Sequence, residues 1–557
     1  MNTMLTLLSH AQLTAFYRDG YWQNDTIYTL VAAHAGRAPN QPAFVEAQRT
    51  YSYRDLLAAV DAFAADLDRR GVRRGDRVAV WLPSRVEVCI AFLACSRNGY
   101  VCCPSLHRDH TVAAVAELVE RMRAVIVVYQ PGYGADADRS DLAAALASVL
   151  SVSHVYALAP AEERGPGLSS YPEISGAQDG KAIKTDPDTV VYLAFTSGTT
   201  GEPKGVMHSD NTLLANARAM ASDWKLGAEA VIYAISPLSH NLGLGSMIMA
   251  MSAGATFAVH DLGKGASLAD RLIETGTTFL VGVPTHAYDL LAELERRNLS
   301  SLGSVRGFRI SGAPSSKDVV GGLLARGIVP QSGYGMTEAG SHHYTHPNDD
   351  PRLVLETSGR ACKGYEVRIF DRDEPDCELP VGEEGQIGGR GASLMLGYFD
   401  AQLATESAFN RHGWFMTGDI GRIDEDGYIR VTGRKKDLII RGGHNIYPAP
   451  IEELAMRHAA VERAVAVPIP DERLGEKVGI VVMLRKGCEL APQELLAHLD
   501  AGGLSKFDMP EYYVAATDIP LTVSGKIRKV DVLEQIRAGI LVPMPIRWDD
   551  SLRVAAR

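Results

Sequence analysis

The strongest constraint on this chain is an alternation. Five short runs rich in valine and isoleucine punctuate its first two thirds: RVAVWLP (77–83), AVIVV (124–128), TVVYLAF (189–195), AVIYAI (230–235) and TFLVGVP (278–284). Continuous apolar runs of this length read as strands covered on both faces. Segments of a different period lie between them. In DLLAAVDAFAADLDRRG (55–71), Leu56, Val60, Phe63 and Leu67 fall on one face of a helix. Strands and amphipathic helices in turn predict an α/β fold, with largely parallel sheets covered by helices. At 557 residues the chain exceeds what one core can bury, so several domains are expected.

The texture changes after about Glu356, where short strands with glycine-rich turns (EVRIF, QIGGRGASLMLGYF) suggest a small β-barrel-like unit. Beyond GYIRVTGRKKDLIIRGG, the runs IEELAMRHAAVERAVAV and VGIVVML read as a small α+β module. The expected organisation is a large N-terminal part over 1–435, holding two helix-covered sheets and the small β unit. A C-terminal α+β domain over 436–557 follows, with its boundary in the charge cluster Arg434-Lys435-Lys436-Asp437.

Composition narrows the function. With 56 basic and 67 acidic residues the net charge is −11, which argues against nucleic acid and anionic lipid as partners. Seven cysteines without metal-ligand spacing suggest a reduced, cytoplasmic setting. The N-terminal stretch lacks a basic region and a cleavage site, so no signal peptide is expected. The uncharged run 230–260 has the length of a bilayer span, but Pro237, His240, Asn241 and three glycines interrupt it. A buried strand–loop–helix–strand unit is expected there, and no transmembrane segment.

Five polar stretches could carry chemistry. In YLAFTSGTTGEPKGVMH (192–208) a strand runs into hydroxyls, glycines and Lys204. Such a loop offers backbone N–H groups and a point charge to phosphate, although a solvated Ser/Gly turn has the same composition. The Walker A spacing is absent. Tyr334-Gly335-Met336-Thr337-Glu338 combines a flat ring, a hydroxyl and a carboxylate suited to Mg²⁺; a surface turn would read similarly. Asp419 in WFMTGD could accept the two hydroxyls of a ribose or form an Asx turn. GRKKD (433–437) with RGGHN (441–445), and PLTVSGKI (520–527) with Lys526, read in isolation as solvated surface.

Together these motifs resemble the adenylate-forming superfamily of acyl-CoA synthetases, luciferases and peptide-synthetase adenylation domains. TSGTTGEPKG, YGMTE, TGD, GRKKDLIIRGG and LTVSGKIRK occur in that family's order from about Ala43 to Lys529. The resemblance implies that Thr196, Ser197, Gly198, Thr199, Thr200, Gly201 and Lys204 wrap the ATP phosphates. It implies that Thr337 binds the α-phosphate, Gly335 belongs to the ATP site, Glu338 binds Mg²⁺, and Tyr334 stacks on adenine beside Gly312-Ala313-Pro314. Asp419 and Arg434 would hold the ribose, and Lys526 would bridge the acid and ATP. Lys436 would be a hinge about which the C-terminal domain rotates between half-reactions, withdrawing Lys526 and bringing Gly442 and Gly443 to a coenzyme A tunnel.

The resemblance further implies that His240 and Asn241, with Gly335, Ala339 and Gly340, border the acyl pocket; a plain core histidine remains the alternative for His240. No fixed charge is placed among these residues to receive a polar tail, so an apolar medium-chain or alicyclic acid is expected. In overall wording the chain looks most like bacterial medium-chain fatty acid and cyclohexanecarboxylate CoA ligases. The reaction implied is acid plus ATP to acyl-AMP and pyrophosphate, then acyl-AMP plus coenzyme A to acyl-CoA and AMP. A stand-alone enzyme loading a carrier-protein thiol is the alternative, and a homodimer is an admissible assembly. A non-enzymatic nucleotide-binding protein would be expected to have lost Lys526 or Glu338. Two departures stand out. His444 takes the place of a carboxylate in the family's Gly-Gly-Glu-Asn, and Gln386 stands where relatives often carry an acid.

Overall fold

A computed structural model describes residues 7–160, 186–196, 203–263, 265–312, 315–442, 444–521 and 527–548. Packing divides the chain into two compact units: Met1–Val367 with Gly389–Phe415, and Arg368–Gly388 with Met416–Arg557.

The first unit is built on two sheets. Seven strands form one, in the order Gly397–Tyr398, Lys204–Ser209, Val190–Thr196, Val101–Cys103, Arg77–Trp81, Ala124–Tyr129 and His154–Ala157. The other has nine strands, in the order Arg360–Ala361, Gly340–Tyr344, Val329–Met336, Gly307–Ser311, Phe279–Gly282, Val231–Ala234, Thr256–Val259, Pro42–Val45 and Thr50–Ser52. All five apolar runs read from the sequence are strands near the middle of these sheets. Their mutual pairings are parallel, as the alternation with helices demands. Towards the sheet ends Lys204–Ser209, Gly397–Tyr398, Gly340–Tyr344 and Thr50–Ser52 each join by antiparallel pairing, whereas the edge strand His154–Ala157 joins parallel. Three of these follow their partners after short connections, which permit only hairpins because a parallel return needs a crossover of a dozen or more residues. Gly397–Tyr398 instead arrives from far along the chain.

Helix Tyr53–Arg69 shows why the covering layer forms. Ser52 accepts the N–H of Asp55 while the Asp55 side chain accepts from Ser52, closing a capping box. The face Leu56, Val60, Phe63, Leu67 is fully buried against the core, as its spacing predicts. The uncharged run 230–260 folds as strand Val231–Ala234, helix Asn241–Ala253 and strand Thr256–Val259. That helix is apolar all round because the core surrounds it. No described helix is long and apolar enough to cross a membrane.

The second unit contains most of a four-stranded sheet, in the order Tyr365–Phe370, Gly385–Gly391, Phe415–Ile423, Ile429–Arg434. This sheet is the small β unit expected from the sequence. A second sheet holds Gly475–Leu484 between Val461–Asp471, antiparallel, and Tyr512–Ala516, parallel. Helices Pro448–Met456 and Pro492–Ala501 cover one face through Ile451, Ala455, Leu495, Leu496 and Leu499.

This division by packing does not coincide with the boundary read at Lys436, because the small β unit groups with the C-terminal residues. The Arg372 guanidinium lies 5.1 Å from the centroid of the Tyr447 ring, and Lys435 Nζ donates to the Arg372 carbonyl.

Candidate active site

The stretch 192–208 begins and ends in two paired strands. Strand Val190–Thr196 pairs with Lys204–Ser209 so that Thr196 stands opposite Lys204. The Thr196 hydroxyl donates to the Lys204 carbonyl at 3.4 Å. Ser197, Gly198, Thr199, Thr200 and Gly201 lie outside the described residues. Next to Lys204–Ser209 runs Gly397–Tyr398, with Tyr398 opposite Val206. This register brings Lys204 Nζ to 5.0 Å from the centroid of the Tyr398 ring. The Tyr398 hydroxyl donates to Glu338 Oε1 at 2.9 Å, and the Glu338 carbonyl accepts from Met395 N at 2.7 Å. Burial first, and then the Glu338 charge, raise the phenol far above its ordinary range, so it remains a donor. The lysine of one motif and the carboxylate of another therefore meet on a single tyrosine, which the sequence reading had not singled out.

Among the described residues no group of three or more His, Cys, Asp or Glu side chains could hold a metal unaided. A cation at Glu338 would have to draw its other oxygens from phosphate and water, the habit of Mg²⁺ rather than of a caged metal.

A second link runs through His208, at the end of the motif. Its Nε2 lies 2.7 Å from the Thr337 carbonyl and its Nδ1 3.0 Å from the Thr212 hydroxyl. Complete burial lowers its pKa to about 4, so the ring is neutral near pH 7. A carbonyl can only accept, so Nε2 carries the proton and Nδ1 accepts from Thr212. Thr337 is thereby tied to the strand that carries Lys204.

Burial also depresses His107 to about 2, His286 to about 4, His343 to about 3, and His342 strongly. The unfolded chain binds these protons at pH values where the folded chain does not. These histidines therefore cost stability as pH falls from about 6.5 towards 4. Glu46 and Asp210 offset this in part, because burial pushes their carboxyls up to about 7 and they take up protons on folding over the same range. Urea midpoints measured between pH 8 and pH 5 are expected to fall, with a shallower fall in His208→Asn.

Tyr334 stands edge-on to His342, with ring centroids 5.0 Å apart. Gly335 follows at a place where the strand Gly340–Tyr344 comes too close for a side chain. A Cβ there would lie 2.2 Å from the Gly340 carbonyl oxygen. Asn216 fixes that partner strand, donating to the Ser341 carbonyl at 2.9 Å and accepting from Ser341 N at 3.1 Å. Ala339 is buried, and its carbonyl accepts from the Ser393 hydroxyl. Gly312 ends strand Gly307–Ser311 with φ 99°, while Ala313 and Pro314 lie outside the described residues.

Between helices Asp210–Asp223 and Asn241–Ala253 lies a narrow cleft of ≈ 30 Å³, bordered by Asn241, Gly340, Ser341, Met220, Met249 and Arg309. That is room for about one water molecule. Asn241 and Gly340, two of the residues expected around the acyl group, border it. His240 caps the helix beside it and stacks on His107, with centroids 4.1 Å apart. The expectation that no fixed charge faces the pocket is corrected by Arg309, a buried guanidinium on a strand whose other residues are apolar or small.

In the second unit Asp419 and Arg434 are cross-strand partners, with Oδ1 and Nε 3.2 Å apart. Gly418 turns the chain with φ 76°, and the Thr417 hydroxyl accepts the Asp419 N–H. Lys436 sits in the 3₁₀ turn Lys435–Asp437. Gly442 bends the hairpin between Arg441 and His444 with φ 57° and donates to the Leu474 carbonyl; Gly443 lies outside the described residues. The departing residue His444 places Nε2 2.9 Å from Asp508 Oδ1, and Gln386 is buried in its strand. Lys526 lies outside the described residues, but Leu521 and Ile527 on either side of its segment pair as an antiparallel bridge.

Comparison with known proteins bears on this arrangement. The model of the AMP-binding enzyme family matches residues 31–399, and that of the AMP-binding enzyme C-terminal domain matches 450–526. The chain belongs to the AMP-binding enzyme family. This AMP-binding enzyme is 31% identical over 536 residues to the medium-chain fatty-acid–CoA ligase of Escherichia coli K12, covering 95% of this chain and 94% of the relative. It is 30% identical to the 3-[(3aS,4S,7aS)-7a-methyl-1,5-dioxo-octahydro-1H-inden-4-yl]propanoyl:CoA ligase of Mycobacterium tuberculosis H37Rv, over 89% and 96% of the two chains. Among solved structures, ATP-bound MatB from Rhodopseudomonas palustris superposes with a TM-score of 0.81 at 29% identity, over 92% and 99%. The AMP-binding enzyme thus shares the α/β architecture, with its large N-terminal and small C-terminal parts, of the adenylate-forming enzymes.

Proposed function

We propose that this chain activates a carboxylic acid with ATP and passes the acyl group to coenzyme A, with Lys204, Thr337 and Glu338 gathered around the phosphates. The observation that carries the reading is the meeting of Lys204 and Glu338 on Tyr398. Two motifs distant in sequence supply a cation and a carboxylate at one place, which a pair of unrelated surface turns would not do.

The chemistry sets what these groups must accomplish. A carboxylate oxygen attacks the α-phosphorus, an anion approaching a polyanion, and the bond to pyrophosphate breaks. No protein nucleophile is required; positioning and positive charge lower the barrier. Lys204 and the backbone of its loop hold the outgoing phosphates, and Thr337, fixed through His208, faces the α-phosphate. Glu338, oriented by the Tyr398 hydroxyl, would hold Mg²⁺, which supplies neutralising charge to the phosphates when bound. Asp419 with Arg434 takes the ribose, Tyr334 lies on adenine beside Gly312-Ala313-Pro314, and Lys526 meets the acid and ATP together.

In the second half-reaction the thiol sulfur attacks the acyl carbon, its proton passes to water, and the bond to AMP breaks. Rotation about Lys436 exchanges Lys526 for the Gly442-Gly443 turn, which leaves room for a narrow chain. The acyl body lies in the cleft beside Asn241 and Gly340, with His240 at its entrance. Met220 and Met249 are the side chains most able to give way to it, being unbranched and adaptable. Both relatives named above are CoA ligases of acids with a largely apolar body, which supports the same class here.

Incubation with ATP, Mg²⁺ and a panel of acids is expected to release pyrophosphate, and mass detection to find acyl-CoA only when coenzyme A is added. Transfer to a carrier protein but not to coenzyme A would reverse the choice of acceptor. Tyr398→Phe removes one hydrogen bond to a charged group. It should raise the KM for MgATP roughly tenfold with a smaller change in kcat; an unchanged KM would take Tyr398 out of the site.

A further inference from the structure

Strand Gly307–Ser311 alternates as a sheet strand must: Phe308 and Ile310 bury in the apolar cluster on one side, and Arg309 projects to the other, towards Met220 and the cleft. A valine would serve packing at that position. Instead a guanidinium is 1% exposed and forms no ion pair with an acid among the described residues. Its Nη1 donates to Gln331 Oε1 at 2.7 Å, from the residue directly opposite on strand Val329–Met336. Nε and Nη2 of Arg309 and Nε2 of Gln331 have no hydrogen-bond partner. Asp223, the nearby acid that might have served, instead accepts from the Tyr344 hydroxyl at 2.8 Å, and the guanidinium lies 5.8 Å from the centroid of the Tyr344 ring. Burial without a counter-charge lowers the Arg309 pKa to about 10, still leaving it charged near neutrality. Buried charges are ordinarily paired, and three unsatisfied donor atoms side by side carry a desolvation cost with no compensation inside the protein.

The position in the fold says what would compensate them. Arg309 precedes Gly312 by three residues, and Gln331 precedes Tyr334 by three. The pair therefore lies about 10 Å along the strands from the end of the sheet that carries the nucleotide motifs. Asn241 and Gly340 border the same cleft as Arg309.

We propose that Arg309, seconded by Gln331, is a specificity-determining subsite for an oxygen acceptor at the far end of the acid: a second carboxylate or a carbonyl group, several carbons from the one activated. The planar fork of a guanidinium suits either, engaging a carboxylate at two oxygens or a carbonyl at one. The two methionines accommodate the apolar stretch between the ends. This subsite rests on the acid-activation reading above. It refines the substrate from a plain apolar acid to an apolar acid with a polar terminus. A site built to hydrogen-bond such a group discriminates strongly against an analogue lacking it, because the buried donors are then left bare.

The test compares, at matched chain length, alkanoic acids, ω-oxo acids and ω-carboxy acids. Pyrophosphate release and the shift in Tm caused by the acid alone are both read, for the wild type, Arg309→Met and Arg309→Lys. The wild type should favour one oxygenated series over the alkanoic acids by roughly 10- to 100-fold in kcat/KM, and the better series tells carboxylate from carbonyl. Arg309→Met should lose that preference, the oxygenated series falling roughly tenfold or more further than the alkanoic acids, and Arg309→Lys should keep part of it.

Alkanoic acids used by the wild type as well as their oxygenated counterparts would overturn the subsite and leave the ligase reading intact. That comparison needs no variant to fold. An equal fall for every acid in Arg309→Met, with a lowered Tm, would likewise assign Arg309 to structure alone and overturn it. Oxygenated acids that raise the Tm of the wild type but not of Arg309→Met, without any pyrophosphate release, would uphold the subsite and overturn the ligase reading. No shift and no release with any acid would overturn both.

Discussion

Lys526→Ala is expected to slow pyrophosphate release from acid and ATP by about 10²–10³-fold, the effect of removing one fixed donor from a site where charge develops. Thioester formation from supplied acyl-AMP should be largely spared, because the proposed role of the ammonium is confined to the first displacement. Stopped-time assays of the two half-reactions, run on the same preparation, read both numbers. An equal loss in both would remove the division of labour assigned to the C-terminal domain. Leu521 pairs with Ile527, and Arg528 N donates to the Pro520 carbonyl at 2.9 Å, so both ends of the segment bearing Lys526 are anchored to their own module.

Lys436→Pro should have the opposite profile. The 3₁₀ turn Lys435–Asp437 joins strand Ile429–Arg434 to strand Ile439–Arg441. A proline there fixes one φ angle and restricts Lys435 before it. If the chain turns at this residue between half-reactions, adenylation should change little while transfer to coenzyme A falls roughly 10²-fold, the scale of a misplaced reacting group. Accumulation of acyl-AMP in the presence of coenzyme A would be the direct sign. Unimpaired transfer would move the hinge to another residue.

Much of the fold was readable because the core obeys simple periods. The face Leu56, Val60, Phe63, Leu67 and the five β-branched runs needed only a helical or strand template. Strand Lys204–Ser209 was harder, because it opens with Lys204 and Gly205, the vocabulary of a loop, and becomes a strand only through its pairing with Val190–Thr196.

The site was legible as motifs but not as a place. Nothing in the spacing of Lys204, Glu338 and Tyr398 announces that they meet; sheet register does that. His208 and Asn216 were missed for a similar reason, since each looks like an ordinary residue until its hydrogen bonds are seen. Arg309 did carry a sequence signal, a lone arginine inside GFRISG where strand patterning calls for an apolar side chain. Its meaning lay in what surrounds it.

The close approach at Gly335 has a practical corollary for anyone redesigning acid preference. Because backbone atoms of the neighbouring strand occupy the space where even a methyl group would go, randomising that codon would chiefly yield misfolded clones. Productive library diversity belongs on the two helices flanking the cleft, at Met220 and Met249, whose replacement reshapes the cavity without breaking the sheet behind it.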